Sequence, residues 1–315
     1  MTDAIENLPA ATNTEASVEL SQAATFRVPQ YRRNIVPTNL VLSAADLKEF
    51  CQIVEKANER AQVIEYNNLN LAEFESPEAA KDRVQEFVRL EYNYGDSTGD
   101  SVQGLGIPNT DDHEFPDDLK TFYVSNSSYA QRAINVRPLN TVDAFLAFER
   151  PTLKIDLQTL PSNPTMNRSI INVSGRDEDW VISTADRLRS FLDKRKSFRP
   201  VIHGSGSYDY LVYLVFLPTV LWILHEDGTF LSEWLKRQST FMNVVLGIYA
   251  LLLSLLFARF LFQYLRWLFP PMEYYKRSRW SAYLHRALAG VIFSTLILNA
   301  IYDIVKVTVT SLLGG

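Results

Sequence analysis

Residues 241–268 read FMNVVLGIYALLLSLLFARFLFQYLRWL, a run with no acidic residue and only Arg259 and Arg266 as charges. A helix that crosses the roughly 30 Å hydrocarbon core of a bilayer needs about 20 mostly apolar residues at 1.5 Å each. This run is long enough, and its reading decides what the rest of the chain is. Residues 208–224 (YDYLVYLVFLPTVLWIL) form a shorter apolar stretch interrupted by Pro218 and stopped by His225, Glu226 and Asp227. The proline removes one backbone hydrogen bond, so a kink is expected there, with Thr219 or a neighbouring helix repairing the ladder. A third stretch begins at Ala287. Together they predict an all-α membrane region over 209–313, with three transmembrane helices near 209–224, 241–262 and 287–306.

Before this region the chain changes character. Of 315 residues, 47% are hydrophobic and 21% charged, with a formal net charge of -5. From Asp209 onward stand nine basic and six acidic residues, leaving 22 basic and 30 acidic before it. The mean hydropathy of -0.08 therefore averages two unlike solvents and excludes a wholly soluble chain. An acidic body is also a poor partner for nucleic acid, whose phosphates need a basic face.

The basic residues set the expected orientation, because cytoplasmic flanks carry the excess of lysine and arginine. Arg187, Arg189, Lys194, Arg195, Lys196 and Arg199 form a collar before the first stretch. Arg259, Arg266, Lys276, Arg277, Arg279 and Arg286 surround Glu273 alone between the second and third. The segment between the first and second carries Lys236 and Arg237 against Glu226, Asp227 and Glu233. That alternation predicts a multi-pass protein with its N-terminal domain cytoplasmic and its C-terminus outside. The first twenty residues lack a basic start followed by an apolar run, so no cleaved signal is expected. Cys51, the single cysteine, fits a reducing compartment. The sequons at Asn126, Asn167 and Asn172 are read as chance, since glycosylation would reverse every charge argument.

Residues 1–30 read as a disordered leader and 31–199 as the cytoplasmic domain. Ser43, with Asp46 three residues on and Leu47, Phe50, Cys51, Val54 and Ala57 at helical spacing, predicts a helix to about Ala61. Ser76-Pro77-Glu78 marks a second helix start. Period-two alternation then predicts strands at Val88–Tyr94, Thr121–Val124, Ile134–Arg137, Val142–Phe148, Leu153–Leu157 and Ser169–Ser174. Residues 95–118 are expected to be a long polar loop. After Gly175, a helix with Asp177, Glu178 and Asp179 in its first turn and Lys194, Arg195 and Lys196 in its last suits the helix dipole. The fold class expected is α+β, an antiparallel sheet with helices on one face. Residues 200–208 are expected to tether it within about 35 Å of the bilayer. The collar would then contact anionic head groups, at about 1 kcal/mol per basic residue.

Catalytic chemistry is not legible. His113, His203, His225 and His285 show no metal-ligand spacing, and Ser205 and Ser207 beside His203 read as linker. Gly95-Asp-Ser-Thr-Gly-Asp100 reads as a turn. Asp111, Asp112, Glu114, Asp117 and Asp118 form an acidic loop that could meet a cation or a basic partner, although it lacks the spacing of a calcium loop. In the third stretch Thr295, Asn299, Asp303 and Lys306 align as a polar stripe on one helix face. Such a stripe in lipid needs a protein or aqueous partner, so homo-oligomerisation or another membrane protein is expected. With no cofactor and no enzyme motif, the leading expectation is a membrane-anchored binding or regulatory domain, a sensor or adaptor. The alternative is an oligomeric membrane effector or channel gated by that domain.

Overall fold

The structure is a computed structural model and describes residues 29–108, 115–153, 162–197, 199–225, 239–275, 284–288 and 290–291. Its N-terminal part is an α+β domain. The strands are β1 (Tyr31–Ile35), β2 (Leu40–Ser43), β3 (Glu91–Gly95), β4 (Ser101–Leu105), β5 (Thr121–Ser125), β6 (Asn140–Ala147) and β7 (Ile170–Gly175). Six of them form one sheet in the order β1-β7-β6-β5-β3-β4, with every neighbouring pair antiparallel. Alternation decides which face is covered: Phe122 and Val124 of β5 and Val142, Ala144 and Leu146 of β6 are buried. The residues between them lie on the other face.

The covering layer is α1 (Ala44–Asn67), α2 (Pro77–Phe87) and α4 (Glu178–Asp193), while α3 (Ser128–Ile134) connects β5 to β6. Each long helix starts where its sequence supplies a cap. Ser43 Oγ accepts from the Asp46 N–H at 3.2 Å and Asp46 Oδ2 accepts from the Ser43 N–H at 2.8 Å, a reciprocal capping box. Ser76 caps α2 with Pro77 in its first turn, and Asp177 accepts from the Trp180 N–H at 2.7 Å to start α4. Trp180, fully buried, donates its indole N–H to Ala57 O at 3.0 Å and locks α4 to α1. Both groups are thereby kept from the cost of an unmade buried hydrogen bond.

Several sequence expectations change. The α1 helix runs past Ala61 to Asn67. Ile134–Arg137 is not a strand: Ile134 ends α3, and Asn135 takes a left-handed conformation (φ 55°) that terminates the helix. The loop expected over 95–118 contains β4, because Asp96 Oδ1 accepts from the N–H groups of Thr98, Gly99 and Asp100 and turns the chain into a hairpin. Gly99, at φ +100°, supplies the conformation that turn needs. The strand expected at Leu153–Leu157 lies almost wholly outside the described residues.

Beyond the domain, α5 (Pro200–His203) is a single turn, α6 (Ser207–Leu211) runs through a π-helical turn at Val212–Phe216, and α7 (Leu217–His225) continues it. The wide turn sits just before Pro218, and the Thr219 hydroxyl donates to Val215 O at 2.6 Å, the local repair that proline calls for. The helix α8 (Thr240–Leu268, 29 residues) is, among the described residues, the one helix long and apolar enough to cross a membrane. Its outward side is bare hydrocarbon, with Phe241 77% exposed and Leu253, Phe257 and Ile248 also exposed. Tyr208 meets Phe262 (5.5 Å between ring centroids) and Phe216 meets Phe257 (6.3 Å), so the first apolar helix leaves the domain and α8 returns to it. The third expected span lies outside the described residues from residue 292 on.

The chain does not end its business with the domain at α8. The strand β8 (Met272–Tyr275) pairs in parallel with β2, Leu40 opposite Met272 through Ser43 opposite Tyr275. Within residues 200–208, Pro200–His203 is helical, 204–206 form a turn and Ser207 opens the next helix.

Candidate functional site

Pro270 and Pro271 stop α8 because proline has no N–H to continue it. A helix end leaves carbonyls without intrahelical partners. Here the carbonyls of residues 268–271 are taken by four residues from three parts of the chain, Arg199 and His203 lying in one turn. Leu268 O accepts from Arg286 Nε (3.2 Å) and Nη2 (2.9 Å). Phe269 O accepts from His203 Nε2, Pro270 O from Arg199 Nη1 (2.6 Å), and Pro271 O from the Leu40 N–H (3.1 Å). Arg266, in the last turn of α8, donates to Ile202 O and Asn163 O.

Glu273 of β8 lies at the centre of this junction, 8% exposed at its side chain. Arg199, 5% exposed, donates to Glu273 Oε2, and Arg286 donates to both oxygens at 2.6 and 2.8 Å. Arg150 stands 3.7 Å away and covers the Trp267 ring. Burial pushes the Glu273 carboxyl up, but Arg199 and Arg286 outweigh it and hold it below the usual glutamate range. His203 moves the other way. Burial, opposed by the Phe269 carbonyl and aided by Arg266 and Arg199, lowers it to about 4. Its ring is therefore neutral near pH 7. A carbonyl only accepts, so Nε2 carries the proton and Nδ1 accepts from the Thr165 hydroxyl at 2.8 Å.

The open face of the sheet is the second concentration of polar groups. One cross-strand row places Glu91, Ser125, Asp143, Asn172 and Asn34 side by side. Asp143 Oδ1 accepts from Ser125 Oγ (2.5 Å) and Ser127 Oγ (2.7 Å). At the β3 end, Glu91 borders a cavity of about 250 Å³ beside Asn93, Gln103, Tyr123, Gln131 and Arg132.

The expected site residues fall unevenly. In the collar, Arg187, Arg189, Lys194 and Lys196 are exposed, with Lys196 paired to Asp193 at 2.7 Å. Arg195 bonds Asp46 and Glu49 at 2.5 Å each and covers the Phe191 ring, while Arg199 is buried against Glu273. Those two guanidiniums hold protein to protein, so of the expected collar only the other four are exposed. In the acidic loop Asp111, Asp112 and Glu114 lie outside the described residues; Asp118 accepts from the Ser97 N–H at 3.2 Å, and Asp117 is half-buried. Thr295, Asn299, Asp303 and Lys306 lie outside the described residues too.

The residues that organise the junction were visible only as flank charges. Glu273 stood out as one acid among six bases, the pattern of a buried counter-ion, and the Pro-Pro pair before it marks the helix end. Glu91 carried no signal beyond a wet strand position. No protein-family model, no curated protein and no solved structure matches this chain.

Proposed function

We propose that this protein is a membrane-anchored, non-enzymatic sensor or adaptor whose sheet domain is fastened rigidly to its membrane helices. In this reading the apolar hairpin of α6, α7 and α8 spans the bilayer, the stretch from Ala287 crosses once more, the domain faces the cytoplasm, and the C-terminus lies outside. The observation that carries it is the capture of the carbonyls of residues 268–271 by Arg286, His203, Arg199 and Leu40. A passive anchor needs only a flexible link. A strand delivered back into the domain, with a buried carboxylate bound by two guanidiniums, couples any shift of β2 to the end of α8.

The test uses the full chain in lipid nanodiscs and in membrane vesicles of known sidedness. Hydrogen exchange should show β2, β8 and the last turn of α8 opening as one unit, and Glu273→Ala should speed exchange there at least tenfold with β5 and β6 unchanged. A cysteine placed by Thr98→Cys should react with an impermeant maleimide from the cytoplasmic side and one placed by Ser232→Cys from the other, with buried Cys51 as a quiet background. Labelling of both from one side, or a chain monodisperse in plain buffer, overturns the membrane arrangement. Unchanged exchange in the Glu273 variant overturns the coupling.

A further inference from the structure

Met166 is 93% exposed although the chain on both sides of it is tied down. The Thr165 hydroxyl, just before it, bonds His203 Nδ1 at 2.8 Å, and Asn167, just after it, donates to Pro37 O. Two further bonds fix the start of the same loop: the Gly206 N–H donates to Ser162 O at 3.1 Å, and Ser162 Oγ donates to Asp209 at 2.6 Å. Arg266, in the last turn of α8, holds Asn163 O at 2.8 Å and Ile202 O at 3.3 Å. Residues 162–167 and the single turn α5 are therefore fastened side by side, where the first apolar helix leaves the domain and α8 returns to it.

These bonds gather apolar side chains that the described residues leave bare. Val201, two residues before His203, is 75% exposed, and Val36, beside Pro37, is 57% exposed. A single exposed apolar residue is ordinary on any surface, whereas a group of them held at one end of a domain marks an interaction site. The length of α8 gives the level of this rim in the membrane arrangement proposed above. Its 29 residues measure about 44 Å at 1.5 Å each. The hydrocarbon takes about 30 Å of that, and the bilayer with its head groups about 40–45 Å. The last turn of α8 then falls in the head-group layer, and Tyr264 and Trp267, stacked at 5.9 Å, are the residue types that favour it. Arg266 belongs to that turn, so the loop it holds stands at the same depth.

We infer that the underside of the domain is itself a lipid-binding surface, with Met166, Val201 and Val36 entering the interface of the same bilayer that α8 crosses. Lipid is the partner because the rim is continuous with the exposed apolar side of α8 and shares the depth of its last turn. Side chains of this size reach the boundary between head groups and acyl chains, where an apolar surface is covered without a protein partner. The inference rests on the proposed membrane arrangement and goes beyond it. The domain lies on the bilayer as well as being joined to it, so its tilt is fixed at the helix junction and again at the rim.

Nitroxide labels measure that depth. Cysteines placed one at a time by Met166→Cys and Val201→Cys, both exposed positions, are labelled in the full chain in nanodiscs of phosphatidylcholine and phosphatidylglycerol, with Cys51 buried. Ala133→Cys, exposed in α3 at the opposite ends of the strands, is the reference for water, and Leu253→Cys on α8 the reference for lipid. Collisions with oxygen, which concentrates in lipid, are compared with collisions with a neutral nickel chelate, which stays in water. The oxygen-to-nickel ratio at 166 and at 201 should exceed that at 133 several-fold and fall short of that at 253. A ratio at either position equal to that at 133, with 253 immersed, overturns the inference and leaves the membrane arrangement standing. A low ratio at 253 overturns that arrangement and the inference with it. Loss of collisions with both reagents at 166 and 201 would show protein covering the rim, and lipid would not be its partner.

Discussion

The junction below β2 and the helix layer above the sheet both bury a glutamate, and the two carboxylates end in opposite electrostatic states. Glu273 has two guanidiniums on it and stays ionised below the usual range. Glu65, near the end of α1, has only the Leu139 N–H at 3.2 and 3.3 Å and the more distant charge of Arg176. Burial dominates there and pushes Glu65 up to about 7. The difference teaches that burial alone does not decide a carboxylate's charge; the number of cations brought within hydrogen-bond reach does. It also separates a group whose charge holds two parts of the chain together from one that is merely enclosed.

The strongest break in that comparison is Glu273→Ala. It strands Arg199, 5% exposed, without its counter-ion, and removing one partner of a buried pair costs about 3–5 kcal/mol. Denaturant unfolding of the full chain in detergent, followed by tryptophan fluorescence, should show the loss. Removal of Glu65 should show the opposite sign at alkaline pH. A drop of less than about 1 kcal/mol for Glu273→Ala would place the pair with ordinary surface bridges.

Protonation sharpens the contrast without removing an atom. The folded His203 value of about 4 lies below the ordinary 6.5, so below pH 6.5 the unfolded chain takes up a proton that the folded one refuses. Stability at the junction is therefore complete above pH 6.5 and falls as pH drops toward 4, by at most about 3 kcal/mol. Because Glu273 is held below its ordinary value of 4.5, its own loss comes at lower pH, but the window from 6.5 to 5 also holds an opposing slope from Glu65, so the histidine is isolated there only in a Glu65→Gln background. In that background His203→Gln, which can still donate to Phe269 O, should flatten unfolding free energy across the window. A slope that persists in the variant assigns it elsewhere.

Glu65 slopes the other way. Its folded value of about 7 exceeds the ordinary 4.5, so its contribution is complete below pH 4.5 and is lost as pH rises through 7. Glu65→Gln keeps an oxygen for the Leu139 N–H. It should match the parent chain near pH 4.5 and exceed it at pH 8 by up to about 3 kcal/mol. Equal stabilities at pH 8 would mean that Glu65 ionises freely in the folded state.

What the sequence showed and what it hid follow the same division between local and distant partners. The helices α1, α2 and α4 were legible because Ser43, Ser76 and Asp177 cap them and their apolar residues recur at helical spacing within a few turns. Strands β5, β6 and β7 were legible from alternation. The edge strand β4 was not, since Ser101–Leu105 is mostly exposed and has no buried face to pattern it. Nor were β2 and β8, whose residues Leu40 and Met272 pair across most of the chain. Alternation misled at Ile134, which is apolar and yet 48% exposed. Glu273 could be noticed as an isolated acid, but its partners Arg199 and Arg286 come from segments that no periodicity relates.

The smallest effect tests whether local capping and the junction are independent. Ser43 is both the last residue of β2 and the N-cap of α1. Its hydroxyl serves the helix, bonding the Asp46 N–H and the Asp46 carboxylate, while its backbone pairs with Tyr275. Ser43→Ala removes only the hydroxyl and should cost about 1 kcal/mol, as lost caps do. Asp46 keeps Arg195 at 2.5 Å, so the first turn of α1 should fray without letting go of α4. In hydrogen exchange the amides at the start of α1 should quicken several-fold while those of β8 stay as slow as in the parent chain. Faster exchange in β8 would show that the cap and the junction share one cooperative unit, and that Glu273 is not what holds the returning strand in place.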